Sequence, residues 1–333
     1  MEVQAIRFVA ARCSERAEAC RVEVTPLSGG LEAAVARATV ERGFSARAEV
    51  PRRFIIKQLR GGQRREAAVY NELWLADERP PAARVFGANR EEDADYLFLE
   101  EVRPFSNWPW SELEVAGAVC RVLASLHRFR PARAEVFSDW DYEEELRQSA
   151  ASTLAVALQA RDSNGQRLWR RRGDLRRVVR ALPVMREALR ADEAIIHGDM
   201  HPGNVLVRRR GRAKQVVLID WARARIGSPL EDLASWLHSL GCWEPNARRR
   251  HDTLLQMYLR ARGDSRAITA GLRQRYWYAS ACNGLAGAIR YHLTVLGDAG
   301  TSAELRYHSS RALAEWERVI RRVAAILATT SRH

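Results

Sequence analysis

The stretch "IIHGDMHPGNVLV", residues 195–207, packs His197, Asp199, His201 and Asn204 between two apolar runs, with Pro202 and Gly203 at its turn. Asp199 and Asn204 are five residues apart, so one loop can present a carboxylate and an amide oxygen toward a common point. Sixteen residues after Asn204, the apolar run "VVLIDWA" carries Asp220 at its end. An aspartate closing a buried strand is costly unless it is paired or holds a cation. Asn204 and Asp220 together are hard oxygen donors of the kind Mg²⁺ takes alongside phosphates and waters. That leaves Asp199 to accept a proton or to orient a hydroxyl. A hairpin whose Asp and Asn merely cap turns is the plainer reading of any one residue. It does not account for the ordered set His197, Asp199, Asn204 and Asp220.

These groups need elements to hold them. "RVEVTPLSGG" (21–30) alternates apolar and polar and ends in a glycine pair, which predicts a strand entering a tight loop. "AAVARATVE" (33–41) predicts the return strand and "RRFIIKQL" (52–59) a third. "REAAVYNELWLA" (65–76) has helical spacing, and "ARVFGANREE" and "DYLFLEEV" predict two more strands around a charged turn. The first hundred residues therefore read as an antiparallel sheet with one helix. Pro104, Pro109 and the Trp108/Trp110 pair mark a connection. Helical patterns follow at 111–130 and at about 141–160 and 174–191, then short strands over 195–220, then helix from "SPLEDLASWLHSL" to the end. The expected class is α+β: a small β-rich lobe over 1–102 and a larger, mainly helical lobe over 103–333.

The chain has 333 residues, more than one compact core usually holds. No run of about 18 uncharged apolar residues predicts a membrane helix, and the opening "MEVQAIRFVAARCSERAEAC" lacks a signal-peptide layout. Five scattered cysteines without a CxxC pair argue against a disulfide framework or a zinc site. A cytoplasmic protein with no membrane partner is expected. The net charge of +13 raises nucleic-acid binding as a function. The charge is nearly all arginine, scattered along the chain, with Lys57 and Lys214 the only lysines. That pattern argues for solvated faces rather than a nucleic-acid footprint.

"HGDMHPGNVLV" followed by "VVLIDWARARIGSPLEDLA" resembles the catalytic segment of the aminoglycoside phosphotransferase family, which shares the bilobal protein-kinase-like fold with choline-kinase-type relatives. The resemblance extends over roughly residues 21–236. It implies an ATP-dependent kinase of a small hydroxylated molecule, with GTP as a possible alternative donor and Mg²⁺ as cofactor. By the same resemblance Asp199 engages the substrate hydroxyl, and Asn204 and Asp220 hold Mg²⁺. His197, His201 and Asp232 of "PLEDLA" support the loop. Lys57, on the third predicted strand, would neutralise the α/β-phosphates. Its carboxylate partner is Glu66 or Glu72; the resemblance favours Glu66 and leaves Glu72 as an exposed helix residue. Ser28, Gly29 and Gly30 fall where the family places its phosphate-covering loop, with Glu32 and Ala33 where relatives often carry a hydroxyl residue and an asparagine. "YLFLEEVRPF" resembles the interlobe linker at about 99–104, where the Glu100 carbonyl and the Val102 N–H would meet adenine.

The acceptor is open: an aminoglycoside or related antibiotic, or a metabolite such as choline, an amino acid or a sugar. The carboxylates Asp139, Asp141, Glu143 to Glu145, Glu244 and Asp264 could meet a polycation, and Trp140, Trp243, Tyr276, Trp277 and Tyr278 could stack on sugars or hold a cation. A catalytically silent nucleotide-binding scaffold is the competing expectation.

Overall fold

A computed structural model describes residues 1–13, 20–27, 33–42, 51–75, 81–138, 140–159, 166–244, 246–264 and 267–330. Ser28, Gly29, Gly30, Glu32 and Asp139 lie outside the described residues. The chain forms two compact units. The first takes Met1–Asn107, Arg130–Val136 and Asn204–Ala224; the second takes Trp108–Phe129, Phe137–Gly203 and Arg225–His333.

The first unit begins with helix α1 (Glu2–Cys13), then strands β1 (Arg21–Pro26), β2 (Ala34–Arg42) and β3 (Arg53–Leu59), helix α2 (Arg65–Leu75), and strands β4 (Val85–Arg90) and β5 (Asp95–Glu100). The five strands make one antiparallel sheet in the order β1-β2-β3-β5-β4. Side chains alternate across a strand, and β3 uses both faces. Phe54 and Ile56 enter a core with Ala5, Phe8 and Val9 of α1 and with Phe98 of β5. Phe8 stacks on Phe98 with ring centroids 3.9 Å apart. Lys57, one step along the strand and opposite Leu97 in register, points to the other face. Helix α1 is an addition to the sequence reading, which placed one helix in this region. Its apolar residues Ala5, Phe8 and Val9 follow helical spacing, but Gln4 and Arg7 break up a short segment. Only the apolar face of the sheet explains why it folds there, and burying Phe8 contributes about 2–3 kcal/mol.

A two-stranded ribbon, β7 (Val205–Arg210) and β8 (Ala213–Leu218), completes this unit with Val205 opposite Leu218. It is stitched in by Leu218 N–H donating to Pro81 O at 2.7 Å and Phe105 N–H donating to Val207 O at 2.9 Å.

The second unit holds α3 (Leu113–Leu126), α4 (Tyr142–Gln159), α5 (Gln166–Arg170), α6 (Arg172–Arg180) and α7 (Leu182–Leu189). The single helix expected over 174–191 is thus two helices, divided at Ala181, with Pro183 in the first turn of α7, where a missing N–H is harmless. Strand β6 (Ala194–Ile196) pairs antiparallel with β9 (Arg225–Gly227). Helix α8 (Pro229–Trp243) is buried along almost its whole length. α9 (His251–Arg262), α10 (Ala270–Asn283), α11 (Ile289–Gly297) and α12 (Ala303–Thr330) pack around it and around α3 and α4. No described helix is long and apolar enough to cross a membrane.

Candidate active site

In the first unit, Lys57 Nζ lies 2.7 Å from Glu66 Oε2 and 2.9 Å from Asp220 Oδ1. Lys57 is buried and Glu66 has no exposure at all, whereas the Asp220 carboxylate is 45% exposed. Burial acts to lower the Lys57 pKa, but the two carboxylates outweigh it and hold the ammonium above its ordinary value. Burial pushes the Glu66 carboxyl up to about 7, opposed by Lys57 and reinforced by the negative charge of Asp220. Two carboxylates thus share one ammonium, and the more exposed of them faces outward with charge to offer a cation.

The start of α2 fixes this arrangement. Glu66 Oε1 accepts the Trp221 N–H at 3.1 Å. Arg65 Nη1 donates to Ala222 O at 2.9 Å and to Ala224 O at 2.7 Å. Two consecutive residues of α2 therefore grip the segment just after Asp220. Trp221 is fully buried, which anchors the backbone from the other side. Asp220 itself has φ of +64°, and no other described residue except glycine has a positive φ. Asp tolerates this region better than most side chains, at a cost of about 1 kcal/mol. Asn204 is buried where β7 begins, and its carbonyl accepts the Ile219 N–H at 3.0 Å, beside Asp220. Glu72 is not exposed, as the sequence reading had it. It is buried and accepts from Arg133 N–H at 2.7 Å and Arg133 Nε at 3.0 Å. Its charge is taken by a residue from another segment, which leaves Glu66 as the partner of Lys57.

Asn204 and Asp220 fit a shared ion rather than a caged one. Among the described residues no three His, Cys, Asp or Glu come together as a metal site. One carboxylate and one amide suit Mg²⁺, which keeps waters and substrate phosphates in its shell.

Glu100 closes β5, and Val102 follows it half-buried. The Glu100 carboxylate pairs with Arg208 and accepts the Arg84 N–H, and its own N–H donates to Arg84 O.

In the second unit, β6 runs into His197 and Gly198, whose φ of +81° is the left-handed conformation glycine allows. Asp232, fully buried in the first turn of α8, receives both loop N–H groups: His197 N at 2.8 Å and Gly198 N at 2.8 Å. Its Oδ2 also faces His127 Nε2 at 3.2 Å, and His127 Nδ1 meets the Tyr258 hydroxyl at 2.8 Å. An ionised carboxylate only accepts, so Nε2 carries a proton toward Asp232. Burial alone would raise the Asp232 pKa; the hydrogen bond and charge of His127, with His197 and the Gly198 N–H, hold it below the ordinary range. Asp199 N–H donates to His197 Nδ1 at 3.3 Å. The Asp199 carboxylate and the His201 imidazole are each 41% exposed, with Nε2 and Oδ2 3.6 Å apart.

Arg65 and His127 escaped the sequence reading. Arg65 adjoins Glu66, but its targets are backbone carbonyls 71 to 159 positions away, which carry no sequence signal. His127 ends an apolar helix and looks like an isolated histidine. A third group, Ser280, His238 and Glu315, lines up with His238 Nε2 2.8 Å from Ser280 Oγ and Nδ1 2.9 Å from Glu315 Oε1. All three are wholly buried, so this row ties α8, α10 and α12 together and meets no substrate.

The acceptor candidates also sort. Glu143 pairs with Arg186 at 2.9 Å and Arg190 at 3.7 Å, and Glu144 with Arg147 and Gln148. Asp141 Oδ1 accepts the Glu144 N–H at the start of α4. Tyr276 and Tyr278 are buried core residues. Trp243 is partly exposed and packs on His308 with ring centroids 4.0 Å apart.

The model of the phosphotransferase enzyme family matches residues 23–278. No curated protein matches the chain. Among solved structures, a choline kinase from Cryptosporidium parvum Iowa II aligns with a TM-score of 0.64 at 11% identity, over 98% of each chain. A spectinomycin phosphotransferase in complex with ADP and spectinomycin aligns with a TM-score of 0.61 at 13% identity, over 96% of each chain. An aminoglycoside phosphotransferase from Alicyclobacillus acidocaldarius aligns at 0.56 and 20% identity, over 97% of this chain and 96% of that one. At these identities the likeness is one of fold, and the fold is kinase-like.

Proposed function

We propose that this chain, which belongs to the phosphotransferase enzyme family, transfers the γ-phosphoryl group of ATP to a hydroxyl of a small molecule. The observation that carries the reading is the buried Lys57 ammonium between the Glu66 and Asp220 carboxylates. A cation fixed in this way is ready for phosphate oxygens, and it needs no rearrangement at the moment of reaction. Glu66 and Arg65 set where Lys57 and the segment after Asp220 stand. Asn204 and Asp220 would hold Mg²⁺, which neutralises phosphate charge. Asp199 accepts a hydrogen bond from the acceptor hydroxyl and takes its proton as the phosphorus–oxygen bond forms. Asp232 and His197 keep its loop in place. The nucleotide is assigned to residues 1–102, with adenine at Glu100 and Val102 and phosphates at Ser28, Gly29 and Gly30, and the acceptor to 103–333. GTP remains a second donor to test. A cytoplasmic setting suits these substrates.

Two acceptor classes follow from the family: aminoglycosides and related antibiotics, and metabolites such as choline, amino acids or sugars. The arginine pairing of Glu143 and Glu144 favours the second, because those carboxylates are already neutralised and offer little to a polycation. The test is an ADP-release screen over both classes with wild type and Asp199→Ala. Wild type releases ADP with at least one acceptor. The variant binds ATP but releases none. Undiminished turnover in Asp199→Ala refutes the assignment, and ATP binding without turnover by wild type supports a silent scaffold.

A further inference from the structure

We propose that His201 is the positioning residue for the Asp199 carboxylate, with its tautomer and place both set by Gly203. The inference rests on the reading of Asp199 above. His201 Nδ1 accepts the Gly203 N–H at 3.1 Å. A backbone N–H can only donate, so Nδ1 presents its lone pair and the neutral ring carries its proton on Nε2. That Nε2–H faces Asp199 Oδ2 at 3.6 Å. The distance is longer than a formed hydrogen bond of about 2.9 Å. The gap is under 1 Å, and hydrogen bonds at reacting groups commonly tighten when substrate binds.

Gly203 supplies the second, independent observation. A Cβ at this position would stand 2.8 Å from His201 Cε1 and 3.0 Å from Nδ1. Gly203 is not one of the positive-φ glycines, so its backbone conformation does not require glycine. What requires it is the imidazole, which occupies the space a side chain would fill. The loop therefore treats its two histidines differently. His197 holds the main chain of Asp199 through the 3.3 Å contact to its N–H. His201 limits the rotation of the carboxylate, which is 41% exposed. Fixing that rotation keeps one carboxylate oxygen available for the acceptor hydroxyl, which is an orientation effect on the chemical step.

The test uses the full chain with His201→Asn, His201→Gln and Gly203→Ala. In His201→Asn the amide oxygen replaces Nδ1 and keeps the Gly203 bond, but no N–H stands in the place of Nε2. In His201→Gln the longer amide carries an N–H to the place of Nε2. Gly203→Ala retains the histidine and pushes its ring aside. With the acceptor found by ADP release, His201→Asn and Gly203→Ala lower kcat by about tenfold or more and leave KM for ATP within about twofold, while His201→Gln recovers most of the rate. Imidazole ¹⁵N spectra of wild type at about pH 8 show the Nε2–H tautomer. Wild-type kcat in His201→Asn, a glutamine variant no better than asparagine, or an Nδ1–H tautomer each overturns the proposal. A wild-type chain that releases no ADP with any acceptor instead overturns the kinase reading beneath it.

Discussion

Replacing Asp232 by asparagine preserves its shape and changes only what its oxygens can accept. In the native protein three donors converge on it: the N–H groups of His197 and Gly198, each at 2.8 Å, and His127 Nε2 at 3.2 Å. All lie around a carboxylate with no exposure, so water cannot replace a lost partner. The asparagine oxygen can serve one loop N–H, and its NH₂ group then faces a donor. Leaving a buried donor unsatisfied costs about 1–3 kcal/mol, and a bond to a charged group is worth about 1.5–3 kcal/mol. With one donor unsatisfied and one charged bond lost, Asp232→Asn should destabilise the chain by about 3 kcal/mol. Asp232→Ala, which strands all three donors, should cost about 3–6 kcal/mol. Urea unfolding at neutral pH, followed by tryptophan fluorescence, reads the difference as a shift in midpoint at constant slope. The same loop carries Asp199, so kcat at a temperature where the variant is fully folded should also fall, by up to about a hundredfold, with KM for ATP little changed. A stability within about 0.5 kcal/mol of wild type would refute the reasoning, because surface substitutions without a structural role fall in that range.

Three further outcomes are expected. Lys57→Met strands Glu66 beside Asp220 without a cation and should lower kcat/KM for ATP by about 10²–10³-fold, and Lys57→Arg should not restore it because a planar fork does not fit the ammonium's buried place between the two carboxylates; steady-state kinetics decides. Arg65→Ala removes two hydrogen bonds to Ala222 and Ala224 and should cost about 1–3 kcal/mol by urea unfolding while raising KM for ATP. Burial pushes the His292 pKa down to about 4 from 6.5, so the folded chain declines a proton that the unfolded chain accepts. Stability from this group is complete above about pH 6.5 and is lost as pH falls toward 4, by about 3 kcal/mol. His292→Phe should flatten that part of the unfolding free-energy profile against pH.

The strands of the first unit are legible because a half-buried sheet writes its two faces into alternate residues, as Phe54, Ile56 and Lys57 do. The loop carrying His197, Asp199 and Asn204 is legible because polar groups crowd between apolar runs. Helix α1 is not, since a dozen residues with four apolar anchors gain a helix only from the sheet they cover. Glu66 and Glu72 lie on one helix with similar neighbours, and what separates them is Arg133, some sixty positions away. The break between α6 and α7 was marked by Pro183 all along. Arg65 owes its importance to backbone C=O groups, which every residue has and no sequence distinguishes. The acceptor is hidden for a related reason: Glu143 and Glu144 look available until Arg186 and Arg147 are placed beside them.

The first unit is assembled from three stretches of chain, and the last of them, Asn204–Ala224, brings both Asp220 and the strand that pairs with Pro81. During synthesis, then, Lys57 and Glu66 leave the ribosome with the third member of their ion cluster still unmade. Asp220 follows Lys57 by 163 residues. At roughly 5–20 residues per second, the amino-terminal sheet waits on the order of ten seconds or more for its closing segment. Most of the first half of the second unit is made during that wait. Truncation after residue 107 would freeze the nascent state: a sheet without its ribbon and a buried lysine with one carboxylate instead of two.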